Sequence, residues 1–186
     1  MRRPVNAART PPRQAGVSLV ELLLVLGVLT LLTIAAFIVY PYVRDGIRAD
    51  HEATHLETIT ANFRSTYGLF GPNPYHGIST AAAIAMGVPP ADMLDGRTSL
   101  TSPFGPVTIG GNYYLPGNTT FGFTVNYTNV PSRVCAHLAT AVAPQFSPGY
   151  VMVSGTSVAI NGLSDPSWIV QKCYEQNQVT MMFVGA

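Results

Sequence analysis

Residues 14–25 read QAGVSLVELLLV and open an apolar run that extends to Val43. Glu21 is the only charged side chain in residues 17–43. The 22 residues from Leu22 to Val43 carry no charge, which is enough for an α-helix to cross a bilayer. The sequence therefore predicts a membrane-spanning helix with one carboxylate near its beginning.

The residues before this helix set its orientation. Residues 1–16 contain no acid and four arginines, whereas both signs of charge follow Val43. The positive-inside bias places residues 1–16 in the cytoplasm and predicts that the remainder is exported. The alternative is a secretory signal peptide cleaved near Ala35, but the apolar run continues beyond that point, and such a signal needs no carboxylate at Glu21.

The composition limits the class of protein. The chain has 186 residues, which suits one domain with an appendage. Charged residues make up 10% and the net charge is +1, which excludes a strongly basic nucleic-acid binder, and 47% apolar residues exclude a disordered chain. Cys135 and Cys173 can form only one intramolecular disulfide, which would persist in an oxidising compartment.

Glu21 is expected to have a partner, because a carboxylate at the centre of a spanning helix costs about 2.5–3.5 kcal/mol. The simpler interpretation is a carboxylate near the helix end that reaches to water. Cleavage after Gly16 would create an ammonium at Val17, about 6 Å before Glu21 along a helix axis. That pair can form within one chain or between neighbouring subunits. Because unpaired buried charges are strongly unfavourable, the pairing predicts that Glu21 fixes subunit register.

Gly16 before the cleaved bond, Glu21 at the fifth mature position and the apolar helix behind them resemble the class III signal of type IV pilins and pseudopilins. The resemblance implies cleavage between Gly16 and Val17 by a membrane prepilin peptidase on the cytoplasmic side. It also implies N-methylation of Val17. A Val at the first mature position and a 16-residue leader are most similar to type IVb prepilins.

A second helical segment is predicted after the spanning helix. Pro41 is expected to kink or loosen the helix near the membrane exit. Helical spacing of apolar residues then predicts one face that packs on a globular head. The residues of this face are Ala49, Leu56, Ile59, Phe63, Tyr67 and Phe70.

The residues His51-Glu52-Ala53-Thr54-His55 match the H-E-x-x-H pattern, in which two histidines bind zinc and the glutamate activates a water. A membrane-tethered zinc metalloprotease is therefore the enzyme alternative. The charged neighbours Arg48 and Glu57 and the missing third histidine argue against it. We interpret the match as exposed polar residues on a helix, and we expect no metal and no catalytic residue.

Residues 71–186 predict a loop-rich α+β head. Helices are expected at 79–86, 131–142 and 165–173, and an extra turn at 91–94. Strands are expected at 107–109, 113–115, 121–127, 150–153, 157–160 and 179–184, with turns at 110–112 and 116–118. The acidic residues Asp92, Asp95 and Asp165 form no recognisable calcium loop and are interpreted as solvated turn residues.

Parts of the head also resemble type IVb pilins, namely Ser102-Pro103-Phe104-Gly105, residues 130–138 and the late Cys173. In that family a disulfide encloses the C-terminal region, so the resemblance implies a bridge from Cys135 to Cys173. Closing a loop of about 38 residues would stabilise the fold by roughly 3–4 kcal/mol.

The resemblance as a whole predicts an α+β protein with the type IV pilin fold, in which a long N-terminal helix packs on an antiparallel sheet and a disulfide closes the C-terminal region. The predicted divisions are a leader at 1–16, a transmembrane assembly helix at 17–43, an amphipathic half-helix at 44–70 and a head at 71–186. The predicted function is a structural subunit, a prepilin, of a IVb-like pilus for adhesion, motility or DNA transfer.

The partners implied by the resemblance are further copies in a helical filament, the prepilin peptidase, and an assembly platform with its ATPase. The precursor would lie in the bacterial inner membrane and the assembled subunit in an extracellular pilus. No cofactor, no catalytic activity and no direct nucleic-acid binding are expected. A type II secretion pseudopilin is the second hypothesis, because it shares the leader and the helix, although the cysteine pair and the long leader favour a pilin.

Overall fold

The computed structural model describes residues 18–68, 74–114, 121–142, 146, 150–159 and 166–185. The chain divides into two compact units, Met1–Pro41 and Tyr42–Ala186. Helix α1, Leu19–Tyr67, contributes residues to both and continues through Pro41. The structure therefore contains the long N-terminal helix that the sequence predicts.

In the first unit, every large apolar side chain of residues 19–40 is exposed. The exposed fractions run from 48% at Val28 to 77% at Phe37. Among the described residues, α1 is the one helix that is long and apolar enough to cross a membrane by length and composition. We call residues 19–40 the apolar helix segment.

In the second unit, the described strands form one seven-stranded antiparallel sheet. Its order is β1-β2-β3-β4-β7-β5-β6, so the last strand of the chain lies between β4 and β5. The strands are β1 Leu94–Asp95, β2 Ser99–Ser102, β3 Gly105–Tyr114, β4 Phe121–Pro131, β5 Tyr150–Val153, β6 Thr156–Ala159 and β7 Gln178–Gly185.

Three short α-helices accompany the sheet, close to their predicted positions. They are α2 Thr80–Ala85, α3 Ser132–Val142 and α4 Pro166–Tyr174, with a 3-10 turn at Ala91–Met93. The side chain of Ser79 accepts a hydrogen bond from the backbone of Ala82 and so caps α2. The sequence placed Pro131 inside the first turn of α3, but the residue ends β4 and the helix begins one residue later.

The core forms where the second half of α1 packs on the sheet. Leu56, Ile59 and Phe63 on α1 are fully buried. The ring of Phe63 stacks on Phe123 of β4, with centroids 4.5 Å apart and planes 22° apart. The predicted apolar face of the helix is therefore confirmed within the described residues; Phe70 lies outside them.

The prediction of a turn at residues 110–112 is wrong. Strand β3 runs through these residues and changes register between Gly110 and Tyr113, so the glycines belong to a bulge. The amide of Gly111 donates a hydrogen bond to the carbonyl of Ile78 at 3.0 Å. A Cβ on Gly111 would overlap the carbonyl oxygen of Tyr75, so the glycine allows a backbone segment to approach the strand. The other expected turn, 116–118, lies outside the described residues.

The close approach at Gly111 predicts a specific loss of stability. Gly111→Ala should lower the free energy of unfolding by about 1–3 kcal/mol, because the added methyl forces a backbone shift. Urea unfolding of the full-length chain in detergent measures the change. The matched control is Gly46→Ala, since the added Cβ has no neighbour within 4 Å and lies in α1. Equal unfolding midpoints for the two variants would contradict the interpretation.

Candidate functional site

Glu21 lies in the first turn of α1, among exposed leucines. A carboxylate there interacts favourably with the partial positive charge of the helix N-terminus. Gly16 and Val17, which the sequence assigns to processing, lie outside the described residues. The structure therefore places Glu21 at the beginning of the apolar helix segment, and the pairing with Val17 stays a prediction.

The apolar helix segment cannot be left in water without a large cost. Burying apolar surface stabilises by about 25 cal/mol per Å², and exposed apolar patches of this kind mark contact with lipid or protein. Its large apolar side chains, which are leucine, isoleucine, valine, phenylalanine and tyrosine, are exposed on all sides of the helix. Such a segment is suited both to lipid and to a bundle of identical helices.

The disulfide joins two helices of the head. Cys135 lies on α3 and Cys173 on α4, both fully buried, with Cα atoms 5.7 Å apart. The bridge implied by the family resemblance is therefore present. It closes a segment of 38 residues that includes β5, β6 and α4.

A polar cluster interrupts the apolar face of α1. We call His51, Glu52, His55 and Asp92 the head cluster. His55 Nε2 lies 2.9 Å from Asp92 Oδ2, and His51 Nε2 lies 3.8 Å from the same oxygen. The two imidazole rings are 4.2 Å apart, because His51 and His55 are one helical turn apart. Asp92 comes from the 3-10 turn at Ala91–Met93.

Glu52 is the unexpected member of the head cluster. The His51–His55 motif is interpreted from the sequence as exposed, but the exposed fraction is 0% for Glu52 and 7% for His55. That interpretation is wrong for these two residues. The spacing in the sequence indicates this burial. Glu52 follows Ala49 by three residues and precedes Leu56 by four, which places it on the buried face of the helix.

The surroundings of Glu52 are electrostatically unusual. Burial raises the pKa of its carboxyl, and the charge of His55 and the nearby Tyr127 hydroxyl offset this only in part. Its nearest ionic contact is His55 Nδ1, 3.4 Å from Oε1. In the described part of the chain, neither carboxylate oxygen has a well-formed hydrogen bond. Burial and the charge of Glu52 together raise the pKa of the Tyr127 hydroxyl well above its usual value.

Asp92 is the exposed turn residue that the sequence predicts, but it also has a specific partner. Its side chain is 56% exposed, yet it is held against His55. Burial tends to raise the pKa of this carboxyl, but the charge and hydrogen bond of His55 outweigh that effect and lower it. Sequence reasoning could not find this contact, because 37 residues separate the two partners. Asp165 lies outside the described residues.

The arrangement does not match the catalytic use of the H-E-x-x-H motif. There the glutamate activates a water on the metal. Here Glu52 contacts the Nδ1 side of His55, whereas Asp92 lies on the Nε2 side. Glu52 therefore stands behind the imidazole and away from any group bound at Nε2.

Comparisons with known proteins agree with the fold and the N-terminal pattern. The family model PilS, described as "PilS N terminal", matches residues 47–186, and a prokaryotic N-terminal methylation motif matches residues 11–37. The matches support neither the pseudopilin nor the metalloprotease hypothesis. No curated protein matches the chain.

Two solved structures are similar to the chain. A crystal structure of the type IV b pilin from Salmonella typhi has a TM-score of 0.57 at 17% identity, covering 73% of this chain and 98% of that one. An NMR structure of the type IVb pilin PilS from Salmonella typhi has a TM-score of 0.48 at 16% identity, covering 73% and 94%. The crystal structure supports the same fold.

The raised pKa of Glu52 predicts how stability depends on pH. Glu52 binds its proton more strongly in the folded protein than in the unfolded chain. The free energy of unfolding therefore falls as the pH rises through the folded pKa of Glu52. Glu52→Gln does not titrate, and at neutral pH it should raise the free energy of unfolding by about 1 kcal/mol. Below the pKa of Glu52 in the unfolded chain, the difference in free energy of unfolding between Glu52→Gln and the wild type should vanish.

Urea unfolding of the full-length chain in detergent with EDTA, from about pH 4 to pH 8, tests this sign. Glu57→Gln removes a carboxylate from the exposed side of the same helix and is the matched control. A Glu52→Gln advantage that shrinks as pH rises would contradict the burial argument.

Proposed function

Because the chain belongs to the PilS family of type IVb pilins, and is thus a structural subunit of a pilus, we propose that it is cleaved after Gly16 and polymerised through its apolar helix segment. In this proposal residues 1–16 are a leader, 17–43 the assembly helix, 44–70 the amphipathic half-helix and 71–186 the head. The prepilin peptidase would remove the leader, and Val17 would be N-methylated. The subunit itself performs no catalysis.

One observation carries the proposal: the exposed apolar side chains of residues 19–40 surround a carboxylate in the first helical turn, and those up to Phe37 lie within the match to the methylation motif. Lipid of the inner membrane covers this surface before assembly. Neighbouring helices cover it afterwards, and the heads form the outside of the filament. Movement from lipid to a helix bundle exchanges one apolar surrounding for another, so assembly depends on packing and on polar pairs between helices.

Glu21 supplies that polar pair. The ammonium of processed Val17 is within reach of Glu21 of the same chain or of a neighbour, since four residues of helix span about 6 Å. In an apolar bundle, removal of one partner leaves the other charge buried and costs about 3–5 kcal/mol. When the pair forms between neighbours, a subunit in the wrong axial position would leave both charges unpaired, so the intermolecular pair selects the register.

Substitution at Glu21 tests assembly separately from folding. Glu21→Val should still be processed and folded, but it should accumulate in the membrane, with sheared filament reduced about tenfold or more. Glu21→Asp keeps the charge and should retain more filament than Glu21→Val. The readouts are filament yield and the mass of the N-terminal peptide in membrane and sheared fractions.

The outcomes separate the hypotheses. A methylated Val17 terminus in sheared filaments supports processing after Gly16. Normal filament yield from Glu21→Val would disprove the pairing argument. An N-terminus near Ala36 would contradict the proposal that the mature protein keeps the apolar helix segment. The same Val17 terminus confined to the envelope would contradict a role as the polymerised subunit.

A further inference from the structure

The head cluster brings three side chains that bind metals to one place. His51, His55 and Asp92 each offer one ligand atom, and these atoms lie within 4.8 Å of one another. Ligand atoms on a tetrahedral Zn²⁺ with bonds of about 2.0–2.1 Å lie roughly 3.3 Å apart. The measured separations of 2.9 and 3.8 Å bracket that distance. Small rotations of exposed side chains would complete the geometry.

Glu52 provides an independent observation at the same cleft. It lines the cleft with His51, His55 and Asp92, is fully buried, and has no well-formed hydrogen bond within the described residues. A buried carboxylate without such partners is costly unless a cation compensates it. With Asp92, it would supply two negative charges, which balance a divalent ion.

We propose that the head cluster is a Zn²⁺ site, in which the Nε2 atoms of His51 and His55 and a carboxylate oxygen of Asp92 bind the ion and Glu52 orients His55. Metal-bound histidines usually direct their other ring nitrogen to a carboxylate, which fixes the tautomer. His55 has this arrangement, because its Nε2 lies beside Asp92 and its Nδ1 lies 3.4 Å from Glu52. Two imidazoles and a carboxylate suit Zn²⁺ better than Ca²⁺ or Mg²⁺, which prefer oxygen.

The ion would be structural. It would tie His55 of α1 to Asp92 of the 3-10 turn at Ala91–Met93, two residues that are 37 positions apart along the chain. The cleft has a volume of about 290 Å³ and is also lined by Thr101, Ser102 and Pro103 of the β2 region. It leaves room for a water as the fourth ligand. Because Glu52 stands behind His55, it is not placed to activate a water on an ion bound at Nε2.

Zinc titration of the full-length chain in detergent tests the site directly. After treatment with EDTA and its removal, Zn²⁺ alone is added in competition with a chromophoric chelator. One ion should bind per subunit. His51→Gln and Asp92→Asn should each weaken binding about tenfold or more. Both positions are exposed, at 59% and 56% of the side chain, so the fold should be kept, as unchanged unfolding in EDTA would verify.

His137→Gln is the matched control, since His137 is an exposed histidine whose Nε2 lies 2.8 Å from Asp50, outside the head cluster. It should bind Zn²⁺ as the wild type does. Glu52→Gln should weaken binding about 10–100-fold without changing the stoichiometry, as expected of a positioning residue. Saturating Zn²⁺ should raise the unfolding temperature of the wild type and of His137→Gln, but not of His51→Gln.

Three results would overturn the proposal. The first is no saturable binding of one ion per wild-type subunit. The second is wild-type affinity in both His51→Gln and Asp92→Asn. The third is loss of binding in His137→Gln. Unchanged affinity in Glu52→Gln would disprove the orienting role of Glu52. Filament assembly is not involved in these measurements, so their failure leaves the assembly proposal standing.

Discussion

The head depends on the contact between one face of α1 and the antiparallel sheet. Phe63 stacks on Phe123, and Tyr75 packs edge-on against both rings. Because residues three and four apart share a helix face, the position of this contact also decides which other side chains of α1 are buried. Glu52 is buried for that reason, and the head cluster is therefore a consequence of core packing rather than a separate element.

Local patterns made part of this structure predictable. The apolar run, its single carboxylate and the helical spacing after it depend only on neighbours in sequence, and they predicted α1 correctly. The sheet order did not follow from such patterns, because β7 lies between β4 and β5 through pairings such as Val125 with Phe183. Gly110 and Gly111 are as typical of a turn as of a bulge, and only the approach of Tyr75 to Gly111 distinguishes the two. The contact of Asp92 with His55 is likewise formed only by folding.

Helix α1 carries two carboxylates within apolar faces, and the negative charge of each is compensated in a different way. Glu52 is buried within the head, where His55 and Tyr127 act on its charge. Glu21 lies in the first turn, where the helix dipole favours its charge, and in the assembly proposal its full compensation comes only from processing. In that proposal, folding compensates the charge of Glu52 and covalent maturation compensates the charge of Glu21.

The edge strand β1 has only two residues, Leu94 and Asp95, and pairs with β2 alone. A long bare edge can recruit a strand from another molecule, and short edges bearing charge oppose this. A neighbouring head that joined the sheet at β1 would find a ladder of two residues ending in an acid. Crowding many heads along a filament therefore carries little risk of continuous cross-β growth from this edge.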